Sequence, residues 1–218
     1  MDEETKFLIE SFFRWIDKAL NTAEELLKDE NTEFASETSL MICFSLLDTM
    51  AFSRHGKPLK VDHSKGEYSY REINKLLYDI RVSQPQIINF IKEFTKNANP
   101  PFFDGTKRAV YISTRDGKEL YLPEVTNEGL FLLARNSLIH TGRNIGSTMI
   151  DTEYSLFPLS STYTTDENGQ KTKSRLDGIM PKATIKLIQI VAQQYKVYCT
   201  KNSIDPRAKI NPVSFLFD

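Results

Sequence analysis

The chain has 218 residues, and its 28 Lys and Arg residues nearly balance its 29 Asp and Glu residues, for a formal net charge of −1. Apolar residues make up 40% of the sequence and charged residues 26%, which is typical of a globular protein with its own hydrophobic core. The near-zero charge excludes a protein that coats nucleic acid through bulk positive charge. A small local site for nucleic acid remains open.

The sequence also predicts the cellular location of the protein and whether it holds a metal. No apolar stretch reaches the length of about 20 residues that a membrane span needs. The first residues, MDEETK, are acidic where a signal peptide would be basic. Cys43 and Cys199 each lie in an apolar run, and no Cys/His cluster has the spacing of a zinc site. We therefore expect a cytoplasmic protein with no membrane association, no cofactor and no metal.

The first half of the chain predicts helices. Over residues 5–29 apolar residues recur every three or four positions, which is the pattern of one helix face. Residues 36–53 are apolar nearly all round and predict a central helix, in which Asp48 either faces water or has a cationic partner. A capping box at 69–72 predicts a further helix, and Pro85 predicts the start of another.

The second half mixes strands with helices. A DG pair between alternating runs predicts a hairpin over 108–123, and turn residues at 166–169 predict a longer β excursion over 150–180. Between them, Thr126 is the expected N-cap of a helix over 127–143, and Pro181 begins the last helix. The expected fold class is therefore mainly α: one helical domain over 1–218, with two β-hairpin insertions.

One motif contains residue types that are suited to catalysis. Residues 130–144 read LFLLARNSLIHTGRN, in which Arg135 and Asn136 precede His140 by five and four positions. On a helix, Asn136, His140 and Arg143 fall on one stripe, with Asn144 beside it. The opposite face, expected in the core, carries Phe131, Ala134 and Leu138. Arg135 lies about 140° from His140, at the edge of the apolar face.

This segment resembles the RNxxxH form of the R-x4-6-H motif of the HEPN superfamily (higher eukaryotes and prokaryotes nucleotide-binding). The resemblance covers four helices, about half of the chain. It implies a HEPN-like helical bundle, a homodimer with a composite site at its interface, and metal-independent cleavage of RNA. It also implies a toxin or defence setting, in which a neutralising or regulatory protein partner is expected.

The residue types suit that chemistry. His140 would act as general acid and base in the attack of the ribose 2′-OH, because the pKa of histidine lies near neutral pH. Arg135 would stabilise the charge that builds on the phosphorane oxygens. Asn136 would orient His140 or bind a phosphate oxygen, and Asp48 would orient His140 or pair with Arg135. The expected substrate-binding residues are Arg143 and Asn144.

Two other interpretations stay open at the level of sequence. The chain is alternatively a non-catalytic, dimeric HEPN-like module that binds a nucleotide or a protein partner, or a helical adaptor without a ligand. In the non-catalytic module the RNxxxH helix would be a dimerisation or ligand surface. Without a site, Arg135 and His140 would belong to an ordinary helix surface or to a buried polar pair that ties two helices together.

Overall fold

The structure is a computed structural model that describes part of the chain. The described residues are 1–28, 34–55, 85–97, 103, 105, 107–113, 119–141, 159–165, 167–169 and 171–208. The helix expected after the capping box at 69–72 lies outside them, as do Arg143 and Asn144.

Helices account for most of the described residues, which confirms the mainly helical fold class. The elements in chain order are α1 (Glu3–Lys28), α2 (Ala35–His55), α3 (Pro85–Thr95), β1 (Lys107–Ser113), β2 (Glu119–Thr126), α4 (Asn127–Thr141), β3 (Leu159–Thr165), β4 (Lys171–Ile179) and α5 (Pro181–Asn202). The HEPN-like arrangement of the bundle stays a prediction.

The five helices of the described residues share one hydrophobic core around α2. This helix contacts α1, α3, α4 and α5, and its apolar side chains are buried in nearly all directions, as its sequence predicts. α1 buries the predicted face from Ile9 to Ala23 and leaves its charged face in water. Tyr195 of α5 is almost fully buried in the core, with its ring 5.7 Å from that of Phe13 and 5.2 Å from that of Phe90. Apolar periodicity therefore predicts the core faces correctly.

The strands form one four-stranded sheet in the order β2-β1-β4-β3. β1 pairs with β2 and β3 pairs with β4, both antiparallel, so paired strands overlap each of the two predicted excursions. A parallel bridge between Tyr111 and Arg175 joins β1 to β4, and this union of the two pairs has no local sequence signal. β2 leads directly into α4, and both β2 and β4 contact that helix. The sheet therefore supports the helix that carries the motif.

Candidate functional site

The position of α4 is set by its N-cap and its apolar face. The Thr126 hydroxyl accepts a hydrogen bond from the Gly129 backbone N–H at 3.1 Å, which confirms the predicted cap. Phe131, Ala134 and Leu138 are fully buried, as predicted for the core face. The ring of Phe131 meets that of Phe44 on α2 edge to face, with their centroids 5.5 Å apart. These contacts seat α4 on α2 and fix which α4 side chains meet the central helix.

Arg135 is directed at α2. Its side chain is only 6% exposed, and its Nη2 donates to the Asp48 Oδ2 in an ion pair between residues 87 positions apart in the chain. Its Nη1 donates to the Asn136 Oδ1 at 2.7 Å. The sequence left two roles open for Asp48, and the structure confirms the pairing with Arg135. We call Asp48, Arg135 and Asn136 the α2–α4 polar cluster.

The α2–α4 polar cluster lies at the margin of the core. The side chain of Asp48 is 18% exposed, and Asn136 is buried. Burial raises the pKa of the Asp48 carboxyl, and the Arg135 guanidinium partly opposes that rise. Within the described part of the chain, neither the Asp48 Oδ1 nor the Asn136 Nδ2 has a hydrogen-bond partner. The Asp48 Oδ1 can therefore accept, and the Asn136 Nδ2 can donate, a hydrogen bond to another group. While these two atoms stay unpaired, they lower the stability of the fold.

The other predicted site residues are described in part or not at all. His140 lies in the last turn of α4, four positions after Asn136, so the two share one helix face. The side chain of His140 is outside the described residues, and so are Arg143 and Asn144. The structure thus brings together Asp48, Arg135 and Asn136, next to the helix position that His140 occupies.

Sequence reasoning missed a second polar cluster, at the C-terminal end of α2. Arg54 donates to the Glu93 Oε1 from Nε at 3.2 Å and from Nη2 at 2.9 Å. The guanidinium also lies over the ring of Tyr198, with Cζ 4.7 Å from the ring centroid. A cation at this position suits a helix C-terminus, but the partners of Arg54 on α3 and α5 leave no local pattern in the sequence.

A third set of hydrogen bonds ties α5 to α2. The Ser53 Oγ donates to the backbone carbonyl of Pro206, which can only accept. The Tyr195 hydroxyl lies 2.6 Å from the same Oγ and is therefore the donor in that bond. Burial raises the pKa of the Tyr195 hydroxyl, which keeps the donor protonated.

The described residues contain no group of three or more His, Cys, Asp and Glu side chains placed to hold a metal ion. None of the described helices is both long and apolar enough to cross a membrane.

No protein-family model matches the chain, and no curated protein or solved structure shows significant similarity to it. A relationship to HEPN proteins therefore stays a prediction from the RNxxxH residues and the order of the helices.

Proposed function

We propose that the chain is a HEPN-type endoribonuclease that cleaves RNA without a metal ion and acts as a homodimer in the cytoplasm. The observation that supports this proposal is the α2–α4 polar cluster. Two motif residues, Arg135 and Asn136, join a carboxylate from another helix in one hydrogen-bonded unit beside the position of His140. Catalytic groups need such support, because a site that is loose by about 1 Å loses much of its rate.

The roles follow from the chemistry of each group. His140 takes the proton of the ribose 2′-OH and returns a proton to the leaving 5′-oxygen, which yields a 2′,3′-cyclic phosphate. Arg135 carries the fixed positive charge that meets the phosphorane oxygens. Asn136 is bonded to Arg135 and sits one helical turn from His140, so it positions both. Asp48 holds the guanidinium, and a substrate phosphate shares or replaces that contact.

The test is cleavage of RNA in EDTA by the wild type, by His140→Ala and by Arg135→Lys. We expect His140→Ala to lower the rate at least 10²-fold, as removal of a general acid or base does. Arg135→Lys keeps the charge but loses the planar fork, so its rate also falls. His63→Ala is the matched control, because it removes a histidine outside the motif. Equal activity of wild type and His140→Ala, or activity that requires added metal, refutes the proposed mechanism.

A second candidate function is a non-catalytic dimeric module that binds a nucleotide or a protein partner. Its specific support is that Arg135 is almost fully buried and already paired with Asp48, as in a pair that ties two helices together. This candidate predicts a dimer in sedimentation and no RNA cleavage by any variant. The nuclease proposal predicts a dimer with cleavage that depends on His140.

The proposed setting is toxin-like or defensive, with a neutralising or regulatory protein partner. Uncontrolled cleavage of RNA harms the cell that makes the enzyme. Induced expression of the wild type is therefore expected to slow growth, and expression of His140→Ala at the same level is expected to leave growth unchanged. Equal growth inhibition by both proteins contradicts this setting.

A further inference from the structure

A groove of about 570 Å³ lies between the end of α3 and the C-terminal half of α5. Its volume falls in the range of about 300–1,000 Å³ that small-molecule sites occupy. On the α5 side Gln194, Val197, Tyr198 and Lys201 line it, and their spacing of three and four residues places them on one face of the helix. Val197 is 52% exposed there, although it is apolar. The groove thus combines an open apolar wall with polar groups.

The carboxylate at the α3 side of the groove is held in place. Arg54 donates to the Glu93 Oε1 from Nε and from Nη2, and the stacking of Arg54 on Tyr198 fixes the guanidinium in turn. The Glu93 Oε2 lies 3.8 Å from the His55 Nε2, which is too long for a hydrogen bond. Glu93 lines the groove, and its Oε2 therefore has capacity to accept from a ligand N–H at little cost in ordering.

Two lysines make the groove attractive to anions. Lys96 and Lys201 line it and are exposed, and neither forms a hydrogen bond or an ion pair with another residue in the described part of the chain. The charge of Glu93 is balanced by Arg54, so the two lysines leave an excess of positive charge. A small inorganic anion satisfies the lysines alone and leaves the apolar wall and the carboxylate unused.

We propose that this groove binds a nucleoside monophosphate unit, either as a free nucleotide or as the terminal nucleotide of an RNA. Lys96 and Lys201 bind the phosphate, the base lies against Val197 and Tyr198, and an N–H of the base donates to the Glu93 Oε2. A ligand with an anionic end, a flat apolar body and an N–H donor uses the two lysines, the apolar wall and the Glu93 carboxylate together. None of these residues belongs to the α2–α4 polar cluster, so the inference is independent of the proposed nuclease activity.

The experiment is calorimetric titration of the full chain with GMP, ribose 5-phosphate and inorganic phosphate. We expect GMP to bind at least about tenfold more tightly than ribose 5-phosphate, because only GMP has a base for the wall and the carboxylate. The paired substitution Lys96→Ala and Lys201→Ala is expected to weaken GMP binding at least about tenfold. Lys186→Ala is the control, because it removes one lysine charge from an exposed site on α5 outside this groove.

A second variant separates the two parts of the site. Val197→Ser changes an exposed side chain, so the fold is retained, and we expect it to weaken GMP binding while ribose 5-phosphate binding stays the same. RNA oligonucleotides with and without a 5′-phosphate then distinguish the two sources of the nucleotide. A 5′-phosphorylated RNA that binds as tightly as GMP indicates a terminal nucleotide, and tighter binding of GMP indicates a free one. An RNA that binds more tightly without its 5′-phosphate contradicts the proposal. It is overturned if no probe binds saturably up to about 1 mM, if inorganic phosphate binds as well as GMP, or if Lys186→Ala matches the double variant.

Discussion

Arg135→Met is expected to lower the free energy of unfolding by about 3 kcal/mol at neutral pH. Loss of one partner of a buried ion pair costs about 3–5 kcal/mol, because the other charge stays in the core uncompensated. The lower end of that range applies here, because the Asp48 side chain is 18% exposed and water reaches part of it. Methionine keeps the apolar stem of the arginine, so little packing is lost.

The double variant Asp48→Leu/Arg135→Met isolates the pair from the rest of the fold. When both charges are replaced by apolar groups no buried charge remains, so we expect the double variant to be within about 1 kcal/mol of the wild type. The coupling energy between the two positions is then at least about 2 kcal/mol. Urea unfolding followed by far-UV circular dichroism measures all four proteins of the cycle.

The pH dependence of the free energy of unfolding gives an independent check on the Asp48–Arg135 pair. Burial already raises the pKa of Asp48, and removal of the Arg135 cation raises it further. A carboxyl with a raised pKa in the folded state contributes stability below its unfolded pKa, and this stability is lost as the pH rises through the folded pKa. The loss of unfolding free energy that Arg135→Met causes is therefore largest at neutral pH. It becomes smaller as the pH falls towards about 4, the usual pKa of aspartate.

The control is the exposed pair of Glu25 and Lys28 on α1, whose side chains are 70% and 67% exposed. Glu25→Gln is expected to leave the free energy of unfolding unchanged, because water already solvates both charges. If Arg135→Met behaves like Glu25→Gln, or if its deficit grows as the pH falls, the reasoning about the buried pair is refuted.

Three further predictions concern the core and a helix end. Tyr195→Phe removes the donor to the Ser53 Oγ and is expected to lower the free energy of unfolding in urea by about 1 kcal/mol. An unchanged urea midpoint would contradict that hydrogen bond. Thr126→Ala removes the cap of α4 and is expected to cost about 1 kcal/mol, while Thr126→Ser retains most of that stability. Burial raises the pKa of Cys43 to about 12 and that of Cys199 to about 11, so a thiol reagent near pH 8 is expected to label both only after denaturation. Rapid labelling of the native protein would show that one of the thiols is accessible.

The elements that sequence alone predicted are those whose signal is local. The spacing of Ile9, Phe13 and Ile16 predicts the buried face of α1, because a helix repeats every 3.6 residues and each turn carries the same information. Thr126 was predicted as a cap because a cap needs only a hydroxyl near the first free backbone N–H groups. The RNxxxH residues are also close together in the sequence, and they carry the resemblance to the HEPN motif.

Contacts between distant parts of the chain were decided only by the tertiary structure. The sequence left open whether Asp48 faces water or has a cationic partner, and the packing of Phe131 on Phe44 brings Arg135 to it. The parallel bridge between β1 and β4 and the bonds of Arg54 to Glu93 are of the same kind. The neighbours of a residue in the sequence determine whether it lies in a helix and on which face of that helix. Its tertiary partner depends on how whole helix and sheet faces pack, because the hydrophobic effect is non-directional and close packing decides which faces meet.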